Sequence, residues 1–150
     1  MNSQEYIKLE EQYGANIYHE LDVVIENGEG VWVFDVEGKR YLDCLSAYSA
    51  LNQGHVHPRI LKTLTDQAAK LTITSRAFRN NQLAHFYKEL SEFSGFDMVL
   101  PMNSGAEAVE TAIKLARKWA YQVKGIPKFD ADILTFENNF HGRTISIISF

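Results

Sequence analysis

The amino-acid sequence predicts an α/β fold: a helix and an antiparallel β-meander, then the start of a larger α/β unit built on a parallel sheet. Three observations carry this expectation. Short β-prone runs at 23–26, 31–34 and 40–42 are separated by Asn27-Gly28-Glu29-Gly30 and Val36-Glu37-Gly38-Lys39, which supply hairpin turn chemistry. Two nearly unbroken apolar runs, 98–102 and 132–136, have the composition of strands covered on both faces. Between them lies a stretch with apolar residues at helical spacing, and strand-helix-strand order implies a right-handed parallel crossover.

Taken in order, residues 3–13 read as a helix, with Tyr6, Leu9 and Tyr13 on one face, Ser3 as a cap and Gly14 as a stop. Residues 15–22 show no period and read as loop. After the meander, 43–57 is a long irregular connection of the kind that often carries function. Pro58 opens a second helix with Leu61, Leu64, Ala68 and Leu71 as its buried stripe. Residues 72–80 are loop, with Arg76 and Arg79 read as solvated. Asn81 caps a helix that buries Leu83, Phe86, Tyr87, Leu90 and Phe93 and ends at Gly95. The helix after Gly105 buries Val109, Ala112, Ile113, Ala116 and Trp119, with Glu110 placed to pair with Lys114 one turn on. Trp32 and Trp119 read as core, and Cys44 as a small buried residue.

Composition narrows the function classes. The 150 residues are 45% hydrophobic and 23% charged, enough for a domain with a real core. A net charge of −4 argues against nucleic acid or an anionic membrane as partner. The single cysteine excludes an internal disulfide and fits a reducing compartment, and neither a secretory nor a transit pattern is read at the N-terminus; a cytoplasmic location is expected. No apolar run has the ~18 residues a membrane helix needs.

Chemistry concentrates on two loops. Met102-Asn103-Ser104-Gly105-Ala106-Glu107-Ala108 opens a helix, where backbone N–H groups and the positive end of the helix dipole suit an anion. Ser104 and Glu107 equally form an S-x-x-E capping box, which closes a helix start without any ligand. Glu137-Asn138-Asn139-Phe140-His141-Gly142-Arg143 follows the second apolar run. Phe140 can stack on a planar ring, and Arg143 can take a carboxylate bidentately. In parallel sheets ligands lie beyond the carboxyl ends of the strands, where these two loops are expected to meet. A phosphate turn, a stacking ring and a carboxylate clamp on one rim suggest a flat phosphorylated cofactor with an amino-acid substrate.

These residues resemble a known family. Asn-Ser-Gly-Ala-Glu-Ala with Ala-Ile-Lys-Leu-Ala-Arg, Phe-His-Gly-Arg-Thr and Gly-His-Val-His-Pro are similar to class III aminotransferases, pyridoxal-phosphate enzymes of fold type I. The resemblance covers nearly the whole chain. Residues 45–55, 71–78 and 117–126 resemble, within that class, the branch acting on ornithine. It implies that 1–56 is part of a small domain and 57–150 the first, truncated part of the large cofactor-binding domain. It implies that Gly105 and Ala106, with Ser104 nearby, bind the phosphate of pyridoxal 5'-phosphate. Phe140 would stack on the pyridine ring and Arg143 would bind the α-carboxylate of glutamate or 2-oxoglutarate. His141 would either tune the ring or merely pack beside it. Tyr18 and Tyr48 would shape the substrate side, where ornithine presents its δ-amine. The family usually reads Tyr-His-Pro-Leu-Pro around Tyr18; here it is Tyr18-His19-Glu20-Leu21-Asp22, a looser segment without its prolines. A homo-oligomer, at least a dimer, is implied.

That chemistry requires a lysine that forms the Schiff base and an acid against the pyridine nitrogen. In the family both follow well after Phe-His-Gly-Arg-Thr. Lys39, Lys62, Lys70, Lys88, Lys114, Lys118, Lys124 and Lys128 all read as surface charges, so no catalytic residue is assigned. The expectation is a fragment, inactive alone, with apolar faces left uncovered. His55 and His57 lack further ligands for a metal site and read as loop structure near a subunit interface. Two alternatives stay open: part of another class III aminotransferase, acting on acetylornithine or another terminal amine, or a non-catalytic phospholigand-binding or dimerisation module.

Overall fold

The structure is a computed structural model that describes residues 1–15 and 17–150. Asn16, inside the predicted loop 15–22, lies outside the described residues. Two compact units result, Met1–Phe78 and Arg79–Phe150.

The first unit opens with α1 (Ser3–Tyr13). Its cap is Asn2 rather than Ser3: the Asn2 side chain accepts from the Glu5 N–H, and the Glu5 carboxylate accepts from the Asn2 N–H. Ser3 is free for another role. Its N–H and hydroxyl both donate to the Glu37 carboxylate, at 2.8 and 2.6 Å, tying α1 to the meander.

The meander is antiparallel in the order β1 (Ile25–Glu29), β2 (Trp32–Asp35), β3 (Arg40–Leu42), as predicted. β1 runs further than its apolar residues indicate. Glu29 pairs with Trp32, so the hairpin loop is only Gly30-Val31, and Gly30 takes the positive φ of 56° that such a turn needs. A bulge between Ile25 and Asn27 absorbs the shift in register. The second turn is organised by Asp35, only 6% exposed, whose carboxylate accepts from the N–H groups of Glu37 and Lys39 and from the Tyr41 hydroxyl at 2.7 Å.

Residues 43–57 fold back on this sheet. Asp43 accepts from the N–H groups of Leu45 and Ser46 and meets His55 Nε2 at 2.8 Å. His55 and Gly30 exchange backbone hydrogen bonds. Gly28 and Gly54 make that approach possible: a Cβ on Gly28 would stand 2.7 Å from His55 Cγ, and one on Gly54 2.8 Å from the Gly30 carbonyl oxygen. Between the anchors, α2 (Ser46–Ser49) is a single turn with positive φ at every residue, a left-handed conformation that costs roughly 1–2 kcal/mol per residue. α3 (Pro58–Ala68) follows with proline in its first turn, as predicted.

In the second unit, α4 (Asn81–Ser94) is capped by Asn80 rather than Asn81 and stops at Gly95, whose φ of 74° supplies the left-handed cap. α5 (Gly105–Gln122) begins at the predicted capping box. The parallel sheet is the main correction. Neither 98–102 nor 132–136 has a ladder partner among the described residues, and Met98 and Leu134 are 89% and 93% exposed. A parallel strand is completed only by lateral neighbours that are distant in sequence, so apolar composition alone does not make one.

The same reasoning corrects the predicted core. The surface is 13403 Å², against about 7,800 Å² for a folded monomer of this size. The stripes of α3, α4 and α5 stay largely open: Leu61, Leu64, Phe86, Phe93 and Trp119 are exposed. Trp32 and Trp119 are not core but serve as platforms for the Arg40 guanidinium, at 4.2 Å, and the Lys124 ammonium, at 4.9 Å. Cys44 is exposed as well. Among the described residues the fully buried apolar side chain is Ile147, at 2%.

Candidate functional site

The site begins with the sequence that starts α5. Ser104 takes an extended conformation (φ −143°, ψ 162°), and its hydroxyl accepts from the Glu107 N–H at 3.2 Å. The Glu107 carboxylate accepts in return from the N–H groups of Asn103, at 2.8 Å, and Ser104, at 3.2 Å. The box thereby satisfies the donors of Asn103, Ser104 and Glu107. Gly105 and Ala106 hold the first helical positions, where α-helix geometry offers no carbonyl to their N–H groups. Space around Gly105 is open: nothing lies within 4 Å of where its Cβ would be. The capping and anion-binding readings are therefore compatible, because they use different donors.

The second loop comes to the same place. Gly142, at φ 123°, sits so close to α5 that a Cβ there would be 3.0 Å from Ala106 Cβ and 2.7 Å from Ile147 Cδ1. Glycine is required on both counts. This contact brings 140–143 beside the first turn of α5. Phe140 is 73% exposed, with the Arg143 guanidinium 5.7 Å from its ring centroid. The His141 ring stands edge-on to Phe150 at 6.5 Å and 86°.

Beyond the loop, the Thr144 hydroxyl donates to the Glu110 carboxylate. Hydrogen bonds from Thr144 and then Ser146 hold the Glu110 carboxyl below its ordinary range, against a smaller opposing effect of burial. The predicted Glu110–Lys114 pair is thus replaced: Glu110 turns to the loop, and the Lys114 charge adds only the smallest of the effects on its carboxyl. Sequence reasoning missed Glu110 and Thr144. A signal existed, since Ala106, Glu110 and Ile113 are spaced i, i+4, i+7 and share a helix face.

The expected cofactor can be tested against these atoms. Its phosphate fits the open ground at Gly105 and Ala106, and its ring fits the uncovered Phe140 beside it. Three lysines of this unit are already engaged. Lys88 pairs with Glu92, Lys124 lies over Trp119 and Lys128 over Phe129. In the first unit, Tyr48 is 89% exposed on the left-handed turn, and Tyr18 is half-exposed in the segment after α1. His55 is paired with Asp43, and among the described residues no group of three or more His, Cys, Asp or Glu side chains could hold a metal. No helix among them is long and apolar enough to cross a membrane.

Comparison with known proteins bears on the same residues. The family described as aminotransferase class III matches residues 13–150. An ornithine aminotransferase from Geobacillus sp. (strain WCH70) is 61% identical over 97% of this chain and 36% of its own length. An acetylornithine aminotransferase from Elizabethkingia anophelis superposes with a TM-score of 0.89 at 62% identity, over 95% of this chain and 36% of that one. An ornithine aminotransferase from Toxoplasma gondii, with partial occupancy of PLP at its active site, superposes at 0.96 with 43% identity, over 99% of this chain and 35% of that one. The chain thus spans about a third of the length of the relatives it matches.

Proposed function

We propose that this chain, which belongs to the class III aminotransferases, forms the phosphate- and carboxylate-binding part of an ornithine aminotransferase. Enzymes of this class depend on pyridoxal 5'-phosphate. The observation that carries the reading is the contact of Gly142 with Ala106, which puts the stacking and guanidinium loop beside the open N–H groups of α5.

In this reading the Gly105 and Ala106 N–H groups and the α5 dipole take the phosphate. Ser104 keeps that turn closed, and Phe140 lies against the ring with His141 beside it. Arg143 binds the α-carboxylate of glutamate or 2-oxoglutarate as a two-pronged donor. Tyr18 and Tyr48 shape the side on which ornithine offers its δ-amine. The bound cofactor supplies the electron sink for amino-group transfer. The proton-moving lysine and the acid facing the ring nitrogen belong to a longer protein, in which 1–56 contributes to a small domain and 57–150 to a large one. That protein is a cytoplasmic homo-oligomer, at least a dimer.

Borohydride reduction of the chain with pyridoxal phosphate, followed by peptide mapping, tests the division of labour. Scattered, substoichiometric labelling is expected, and stoichiometric labelling of one lysine overturns it. The similarity to the Elizabethkingia acetylornithine enzyme favours a second reading, N-acetylornithine as amine donor. Turnover of the longer protein with ornithine against N-acetylornithine, each with 2-oxoglutarate, decides between them.

A further inference from the structure

We infer that Glu110 is a positioning residue: by accepting the hydroxyl hydrogen bond of Thr144, it clips the Phe140–Arg143 loop over the first turn of α5. The inference rests on the proposed cofactor site and adds what holds its two halves in register.

Three features of the loop support it. Gly142 touches Ala106, one turn before Glu110 on the same face, so loop and helix already share a contact line. Ile147, just beyond the clip, is the fully buried apolar side chain, and the Ile148 N–H closes a turn onto the Thr144 carbonyl at 3.0 Å. Residues 144–148 are therefore a docked turn. The segment before them has weaker ties: Asn138 has a positive φ of 58°, and Phe140 is uncovered. An apolar plug such as Ile147 fixes depth but not direction, whereas hydroxyl donors on a carboxylate are directional and stronger than neutral hydrogen bonds. The clip thus decides where Phe140 and Arg143 stand relative to Gly105 and Ala106. Its carboxylate is ionised at neutral pH, consistent with its lowered pKa.

Thr144→Val removes one hydroxyl at nearly constant shape, Thr144→Ser restores it, and Glu110→Gln removes the charge. In the 150-residue chain, amide hydrogen exchange across 140–146 is expected to accelerate about tenfold in Thr144→Val and Glu110→Gln, the weight of one charged hydrogen bond. Exchange in the last turn of α5 stays unchanged, and Thr144→Ser behaves as the parent. A positioning role also separates two ligands. Inorganic phosphate touches only α5 and keeps its affinity, while pyridoxal phosphate, which needs Phe140 as well, binds about tenfold more weakly to Thr144→Val. Unchanged exchange in both variants overturns the clip. Faster exchange throughout α5, or equal losses for both ligands, assigns Glu110 to general stability and also overturns it. Failure of the parent chain to take pyridoxal phosphate is the outcome expected where the Schiff-base lysine belongs to a longer protein, and the exchange result alone then upholds or rejects the clip.

Discussion

The meander and the second unit show opposite ways of using apolar and polar residues. In 25–42 each strand finds its neighbour across a turn of a few residues, and polar side chains finish the work: Asp35 on the turn amides and Tyr41, Glu37 on Ser3, Asp43 on His55. In 98–136 the more apolar sequence achieves less, because its strand-like runs have no ladder and its helix stripes stay open. Local closure, not hydrophobicity, separates the two. A hairpin meets its hydrogen-bond demand within its own sequence, whereas a parallel strand depends on distant ones.

The contrast makes measurable predictions. The largest effect is expected at Ile147. With so little else buried in the second unit, Ile147→Ala should remove about 2–5 kcal/mol from its unfolding in urea, read from Trp119 fluorescence in a Trp32→Phe background. An effect below that range would mean that exposed stripes, rather than this plug, hold the unit together. Next comes Gly54→Ala in the first unit. The residue has a φ of 84° and its Cβ would meet the Gly30 oxygen at 2.8 Å. The left-handed backbone alone costs about 1–2 kcal/mol, so the meander should melt earlier while the second unit is unaffected.

The smallest effect is on acid stability. The Tyr41 hydroxyl lowers the pKa of Asp35, the Ser3 hydroxyl that of Glu37, and the Ser46 N–H followed by His55 that of Asp43. Depressed folded-state values give a stabilisation that is complete above the ordinary carboxylate range and lost as the pH falls through the lowered values. Trp32 fluorescence in a Trp119→Phe background should therefore report loss of the meander only in acid. Ser3→Ala, which strips Glu37 of its hydroxyl partner, should move that midpoint upward. An unchanged midpoint would show that the α1 tie contributes nothing to the meander.

Much of this arrangement was legible beforehand. The Ser104–Glu107 box, the Gly95 stop, Pro58 and the Gly-spaced meander are short-range signals whose physics lies within a few residues, and each appears where expected. The loop residues Phe140, His141 and Arg143 were legible as a candidate site, since a ring, an imidazole and a guanidinium lie within four residues. The misreadings have a common origin. Cys44, Trp32 and Trp119 were placed in a core because of their type, but burial depends on what lies opposite, and here that is solvent or a cation. Caps at Asn2 and Asn80 rather than Ser3 and Asn81 reflect adjacent residues with similar capping ability, between which only backbone geometry chooses.

By itself the sequence determined the helices, the meander and the family, because turn, cap and helix preferences act over a few residues and the motifs are contiguous. The sequence also anticipated that the loops meet; only the tertiary structure decided which contacts join them, Gly142 against Ala106 and Thr144 on Glu110, and that among the described residues 98–102 and 132–136 carry no ladder. Both outcomes turn on partners more than twenty residues away in the chain, and a side chain's type does not specify which distant surface it will meet.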